Sequence, residues 1–182
     1  EDHLGALQYL WPKLRCPVYA TSFTARVAQR KIKNLSDKDQ KTLKMNRVQP
    51  GHPIEIGVFR VEWLHLTHSI PEPNGLVIDV SDQRIFHTGD WKLDPDPIVG
   101  ESYDAKRLEE IASDGVDWVI CDSTNATTPG YSGSEAEAAK ALAEVLNGHE
   151  GRLAVSCFAS NVARVKTLGM LAEKLGRRVS VL

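Results

Sequence analysis

Histidine and aspartate cluster in three short stretches of this 182-residue chain: Asp2-His3, Thr67-His68-Ser69 and His87-Thr88-Gly89-Asp90. Imidazole and carboxylate side chains together suit zinc or manganese. A two-metal hydrolase needs an oxygen ligand able to bridge both ions, and an aspartate can do so. It also needs imidazoles to complete each ion's shell and an open position for water. Asp2, His3, His68 and Asp90 supply that mixture. Taken singly, each has an ordinary alternative, because a lone histidine is more often a hydrogen-bonded structural residue than a ligand.

Each stretch stands where a strand is expected to end or a helix to begin, which is where α/β sheets present ligands and catalysts. A short helix is expected over 4–11, stopped by Pro12, then a strand at 18–20 and a helix over 23–33. The stretch LSDKDQKTLKMNRVQPGHP is polar and reads as partly looped. Residues 54–66 alternate at period two and predict one strand, straight or bent. Strands are predicted at 75–80 and 84–87, joined by the turn-prone Ser81-Asp82, followed by a helix over 104–113 and a buried strand at 116–121. From about Thr124 the pattern becomes helix (134–147), strand (153–158), helix (161–175) and strand (178–182), as in a parallel α/β unit. Ser132 to Glu135 and Ser134 to Glu137 both have capping-box spacing.

The chain is 42% hydrophobic and 25% charged, an ordinary globular composition, with net charge −2. A polyanion site would therefore have to be a local basic patch. No apolar run approaches membrane-spanning length. Three scattered cysteines, Cys16, Cys121 and Cys157, argue against a disulfide framework. Cys121 and Cys157 lie in apolar strand-like runs and are expected to be buried free thiols in a reducing cytoplasm.

The wording around these residues is familiar. EDHLGALQYLW resembles the end of the His-x-His-x-Asp-His motif of the metallo-β-lactamase superfamily. THSIPEPNG resembles its next histidine motif, and FHTGDWKLDPDP its bridging-aspartate motif. CDSTNA and CFASNVARV resemble segments of the β-CASP subgroup, which processes nucleic acids. Together these segments are similar to the bacterial ribonuclease J family, and the likeness runs over essentially the whole chain.

The resemblance implies an α/β fold: an αββα sandwich missing its first strands over residues 1–123, leading into the start of a β-CASP domain over 124–182. It implies two divalent ions, zinc or alternatively manganese. Asp2 and His3 would bind one ion, His68 the other, and Asp90 would bridge them. Asp122 would be the acidic β-CASP residue near the scissile phosphate, so that Asp2, Asp90 and Asp122 carry the catalysis. The implied reaction is hydrolysis of RNA phosphodiesters, as a 5′-to-3′ exonuclease favouring a 5′-monophosphate and as an endonuclease. Cytoplasmic location, homodimers or homotetramers and no membrane association come with it. Two further metal histidines would stand ahead of Glu1, and a last one beyond Leu182. The chain is thus expected to be an internal fragment, inactive alone and weak in metal binding.

Ser160 and Asn161 stand at an expected strand-to-helix turn, where free N–H groups can hold phosphate, with Arg164 one turn on. Ordinary helix capping is the alternative. His87 reads as a residue orienting a ligand, or equally as structural. His65, His52 and His149 read as non-ligating. Arg26, Arg30, Lys31 and Lys33 form a basic helix face, and Arg152, Arg164, Lys166, Arg177 and Arg178 make the C-terminal part basic. The loop TTPGYSGSE lacks the glutamate-arginine pair that often follows the acidic motif in the family. Two other functions compete: a β-CASP DNA nuclease or another metallo-β-lactamase-type hydrolase, and a catalytically dead RNA-binding relative.

Overall fold

The computed structural model describes residues 3–181. The chain opens with helix α1 (Leu7–Leu14), strand β1 (Val18–Ala20), helices α2 (Ser22–Ile32) and α3 (Asp37–Thr42), and strand β2 (Met45–Arg47). β1 and β2 pair in parallel, Val18 opposite Met45. Next come β3 (Ile54–Ile56), β4 (Phe59–His65), β5 (Asn74–Val80) and β6 (Gln83–His87), an antiparallel meander. Helix α4 (Ala105–Asp114) leads to β7 (Trp118–Ile120), which joins β6 in parallel and completes the order β3-β4-β5-β6-β7. Helices α5 (Glu135–Leu146) and α6 (Val162–Lys174) follow. The architecture is mixed α/β.

Period two explains how β4 serves two cores. Val61 and Trp63 share one face and pack with Val48, Tyr19, Ile54 and Ile78. Leu64 lies on the other face and packs with Leu66, Val77, Phe86 and Ile111 of α4. Glu62 shares that second face, is buried, and is held by the Arg107 guanidinium of α4 through hydrogen bonds of 2.9 and 2.8 Å. That contact, more than any other, holds Arg107 above its ordinary pKa.

Several expectations are corrected. The single strand over 54–66 is a hairpin, because Gly57 takes φ +64° and the chain reverses so that Ile56 faces Phe59. The first helix is displaced by three residues and contains Pro12. Proline fits helical φ, and its missing N–H deprives only one carbonyl of a partner. The helix ends instead at Arg15, φ +53°, whose N–H donates to Trp11 O. The stretch read as partly looped holds α3, capped by Ser36 accepting from Asp39 N, and β2.

The last third departs most. Between residues 124 and 181 no strand forms at 153–158 or after 178. A strand exists only against a neighbour that takes its hydrogen bonds, and none of the described residues does so there. Phe158 is 83% exposed as a result. β7, read as buried, has Trp118, Val119 and Ile120 between 55 and 61% exposed. All three cysteines are exposed; among the described residues no layer packs over the apolar runs around Cys121 and Cys157.

Candidate metal and phosphodiester site

Strand direction brings the chemistry together. β4 and β6 are both antiparallel to β5, and β7 is parallel to β6, so β4, β6 and β7 all run the same way. The register sets Trp63, Leu76, His87 and Ile120 in one row across the sheet. The loops leaving β4, β6 and β7 carry His68, Asp90 and Asp122, so all three emerge at one sheet edge. His3, ahead of α1, reaches that edge: its Nε2 lies 3.1 Å from Asp90 Oδ1, and both side chains are exposed. Asp2 lies outside the described residues.

Asp90 is aimed by a tight turn. Gly89 takes φ +61°, a conformation suited to glycine. Its N–H donates to His87 Nδ1 at 3.0 Å, so in the neutral ring the proton sits on Nε2. His87 thus braces the residue next to Asp90. Asp122 is held below the ordinary carboxylate pKa, first by the Thr124 hydroxyl and then by the Thr124 N–H, which both donate to its Oδ1. The nearby His68 imidazole adds to this when charged. His68 Nδ1 lies 3.2 Å from Ser69 Oγ.

The remaining residues sort clearly. Asn161 caps α6, its Oδ1 accepting from Arg164 N at 2.8 Å. Ser160 is exposed. Arg164 Nη2 lies 3.4 Å from Glu135 Oε2. Ala163 N donates to Ser69 O at 3.2 Å, which sets the start of α6 against the His68 loop. His65 stands apart, its Nε2 against Glu101 O, beside a cavity of about 970 Å³ lined by Glu62, Glu72 and Arg107. His52 and His149 are exposed.

One cluster escaped sequence reasoning. Asp94 is 1% exposed and receives the Lys92 ammonium at 3.0 Å and the Glu135 N–H at 2.9 Å. Burial pushes its carboxyl up, yet the N–H groups of Glu135 and Asp96 together with Lys92 hold it below its ordinary pKa. Asp94 thus ties the loop that follows Asp90 to the start of α5. Only the tertiary docking of α5 reveals it, since an aspartate before a proline otherwise reads as turn chemistry.

Among the described residues no three His, Cys, Asp or Glu side chains are grouped to hold a metal ion. The donor set nonetheless suits one: an imidazole already meets the Asp90 carboxylate, and a second histidine emerges at the same edge.

No family model matches the chain. A ribonuclease J from Sinorhizobium meliloti is 41% identical over 182 residues, covering all of this chain and 32% of that protein. The chain matches ribonuclease J along its whole length. Ribonuclease J of Thermus thermophilus is 35% identical over 187 residues, again across the whole chain. Ribonuclease J of Mycolicibacterium smegmatis is 39% identical over 182 residues. The chain spans about a third of the length of these ribonuclease J relatives. Among solved structures, a protein of unknown function from Enterococcus faecalis superposes with a TM-score of 0.57 at 18% identity. It covers 86% of this chain and 39% of its own, and the likeness concerns the fold alone.

Proposed function

We propose that this chain carries metal-binding and catalytic residues of a ribonuclease J-type hydrolase that cleaves RNA phosphodiesters. The observation that carries the reading is the shared sheet edge of His68, Asp90 and Asp122, with His3 against Asp90. Similarity to ribonuclease J over the whole chain supports it.

His3 and Asp90, with Asp2, would hold one divalent ion, and His68 and Asp90 the other; zinc suits these donors and manganese is the alternative. When bound, such ions lower the pKa of water and neutralise charge on phosphoryl oxygens. Asp90 would span both positions, with His87 keeping its turn in place. Asp122, kept ionised, adds a fixed negative charge that favours cation binding beside the phosphate. Asn161 and Arg164 would contact the RNA backbone near the His68 loop, with Ser160 beside them.

The same reading includes a metallo-β-lactamase sandwich over 1–123 and the start of a β-CASP unit over 124–182. It extends to preference for a 5′-monophosphate, exo- and endonucleolytic cleavage, a homo-oligomer, and the cytoplasm. Among the described residues no helix is long and apolar enough to cross a membrane.

The test is Asp90→Asn in the protein that contains this chain. Cleavage of 5′-monophosphorylated RNA should fall by about 100-fold or more, with Mn²⁺ affinity falling in parallel. Unchanged cleavage would refute the reading. A DNA strand cleaved in preference to the matching RNA would move it to the DNA-nuclease alternative.

A further inference from the structure

We propose that two buried threonines, Thr67 and Thr88, are the positioning residues of the candidate site. Each hydroxyl ties one residue-bearing loop to the next, holding His68, Asp90 and Asp122 in a common register. The inference rests on the reading of those three residues given above.

Thr67 is 2% exposed and directly precedes His68. Its Oγ1 accepts from Asp94 N at 2.8 Å and donates to Lys92 O. Its backbone O accepts from Lys92 N at 2.9 Å. The His68 loop is therefore joined at three points to the segment that follows Asp90. Thr88 is 1% exposed and lies two residues before Asp90. Its Oγ1 donates to Gly89 O at 2.7 Å and accepts from Asp122 N at 3.0 Å. Its own N–H donates to Ile120 O at 2.9 Å. The Trp91 indole donates to Asp122 O at 3.3 Å, so both backbone groups of Asp122 are held from the Asp90 loop.

The two residues repeat one device. A hydroxyl supplies one donor and two acceptor positions, and here each gives its proton to a carbonyl and takes one from the neighbouring loop's N–H. The branched Cβ limits side-chain rotation, so the oxygen keeps its direction. Serine keeps the hydroxyl with a looser rotamer. Valine keeps the shape and loses both bonds, leaving without a partner the buried Asp94 N–H in one case and the partly buried Asp122 N–H in the other. Because Thr67 adjoins His68, Thr88 stands two residues before Asp90, and their partners include Asp122 itself and the segment up to Asp94 that follows Asp90, such a loss displaces the groups that would meet the ion.

The experiment compares Thr88→Val, Thr88→Ser, Thr67→Val and Thr67→Ser in the protein that contains this chain, reading amide exchange by residue-resolved hydrogen–deuterium exchange and Mn²⁺ affinity by electron paramagnetic resonance. In Thr88→Val the Asp122 amide should exchange at least about tenfold faster while β5 amides keep their rates. Mn²⁺ affinity should fall about 10- to 100-fold, and the serine variant should restore both. Thr67→Val should do the same at the Asp94 amide. Mn²⁺ affinity equal to wild type in both valine variants would overturn the proposal, leaving the threonines as ordinary fold contacts.

A wild-type protein containing this chain that takes up no Mn²⁺ defeats the metal reading of His3, His68 and Asp90. The threonine proposal is then decided by exchange alone: acceleration rescued by serine supports it, and unchanged rates overturn it. If a valine variant does not fold, the wild-type protein decides. Its Asp122 and Asp94 amides must be protected relative to that of exposed Ser123, and absence of that protection overturns the proposal.

Discussion

Asp122 shows how little is needed to set the protonation of a surface carboxylate. One threonine two residues on supplies a hydroxyl and an N–H to the same oxygen. Thr124→Val removes the hydroxyl and keeps the N–H, so the Asp122 pKa should move up toward 3.8 without fully reaching it. Carboxyl ¹³C shifts followed against pH will measure this. The sign for stability follows. A carboxyl depressed in the folded state stabilises the fold above the unfolded pKa near 3.8, and that contribution is lost as pH falls below it. Thr124→Val should therefore slightly flatten the acid side of the stability profile. Of the residues at this edge, His68, Asp90 and Asp122 were legible because their neighbours form recognisable wording. Asp94, Thr67 and Thr88 were not, because their work is done by contacts with residues more than 20 positions away.

Helix α4 is fastened to the sheet by apolar contacts, by the Arg107–Glu62 ion pair, and at its end by Asp114 against Arg84 of β6. Arg107→Met leaves the Glu62 carboxylate buried and unpaired, at a cost of about 3 kcal/mol, the low end for such a loss because Arg107 is partly exposed. Glu62→Leu combined with Arg107→Met should recover most of it, since a volume-matched apolar pair needs no partner. Urea unfolding of the single and double variants checks both. Elements whose rules are local were readable in advance: the Ser81-Asp82 turn, the Ser134 cap and the Asn161 cap; the Asp104 cap reads in the sequence instead as the first residue of its helix. The capping box uses Ser134 and Glu137, although Ser132 and Glu135 have the same spacing. Glu135 is instead drawn inward beside Lys92 and Arg164. Strands at 153–158 and beyond 178 were misread because alternation and apolarity describe a strand's needs, whereas its existence depends on a neighbour.

Across the whole molecule, contacts fall into two kinds. β3 to β6 pair in sequence through short connections, whereas β7 reaches β6 only after residues 88–117 have crossed over. Local pairings close with little loop entropy and so tend to form early. Leu64→Ala and Ile111→Ala should each cost about 3 kcal/mol, since both side chains are almost fully buried. They should differ in kinetics. Leu64→Ala, inside the meander, should slow refolding about tenfold, whereas Ile111→Ala, in the crossover helix, should mainly speed unfolding. Stopped-flow tryptophan fluorescence separates the two. The meander also implies an order of assembly. His68 and Asp90 arrive at their common edge as neighbouring strands close, and Asp122 arrives only when the crossover docks. The acidic residue farthest along the chain is thus the last of the three to be delivered, and every partly folded form made before that point lacks it.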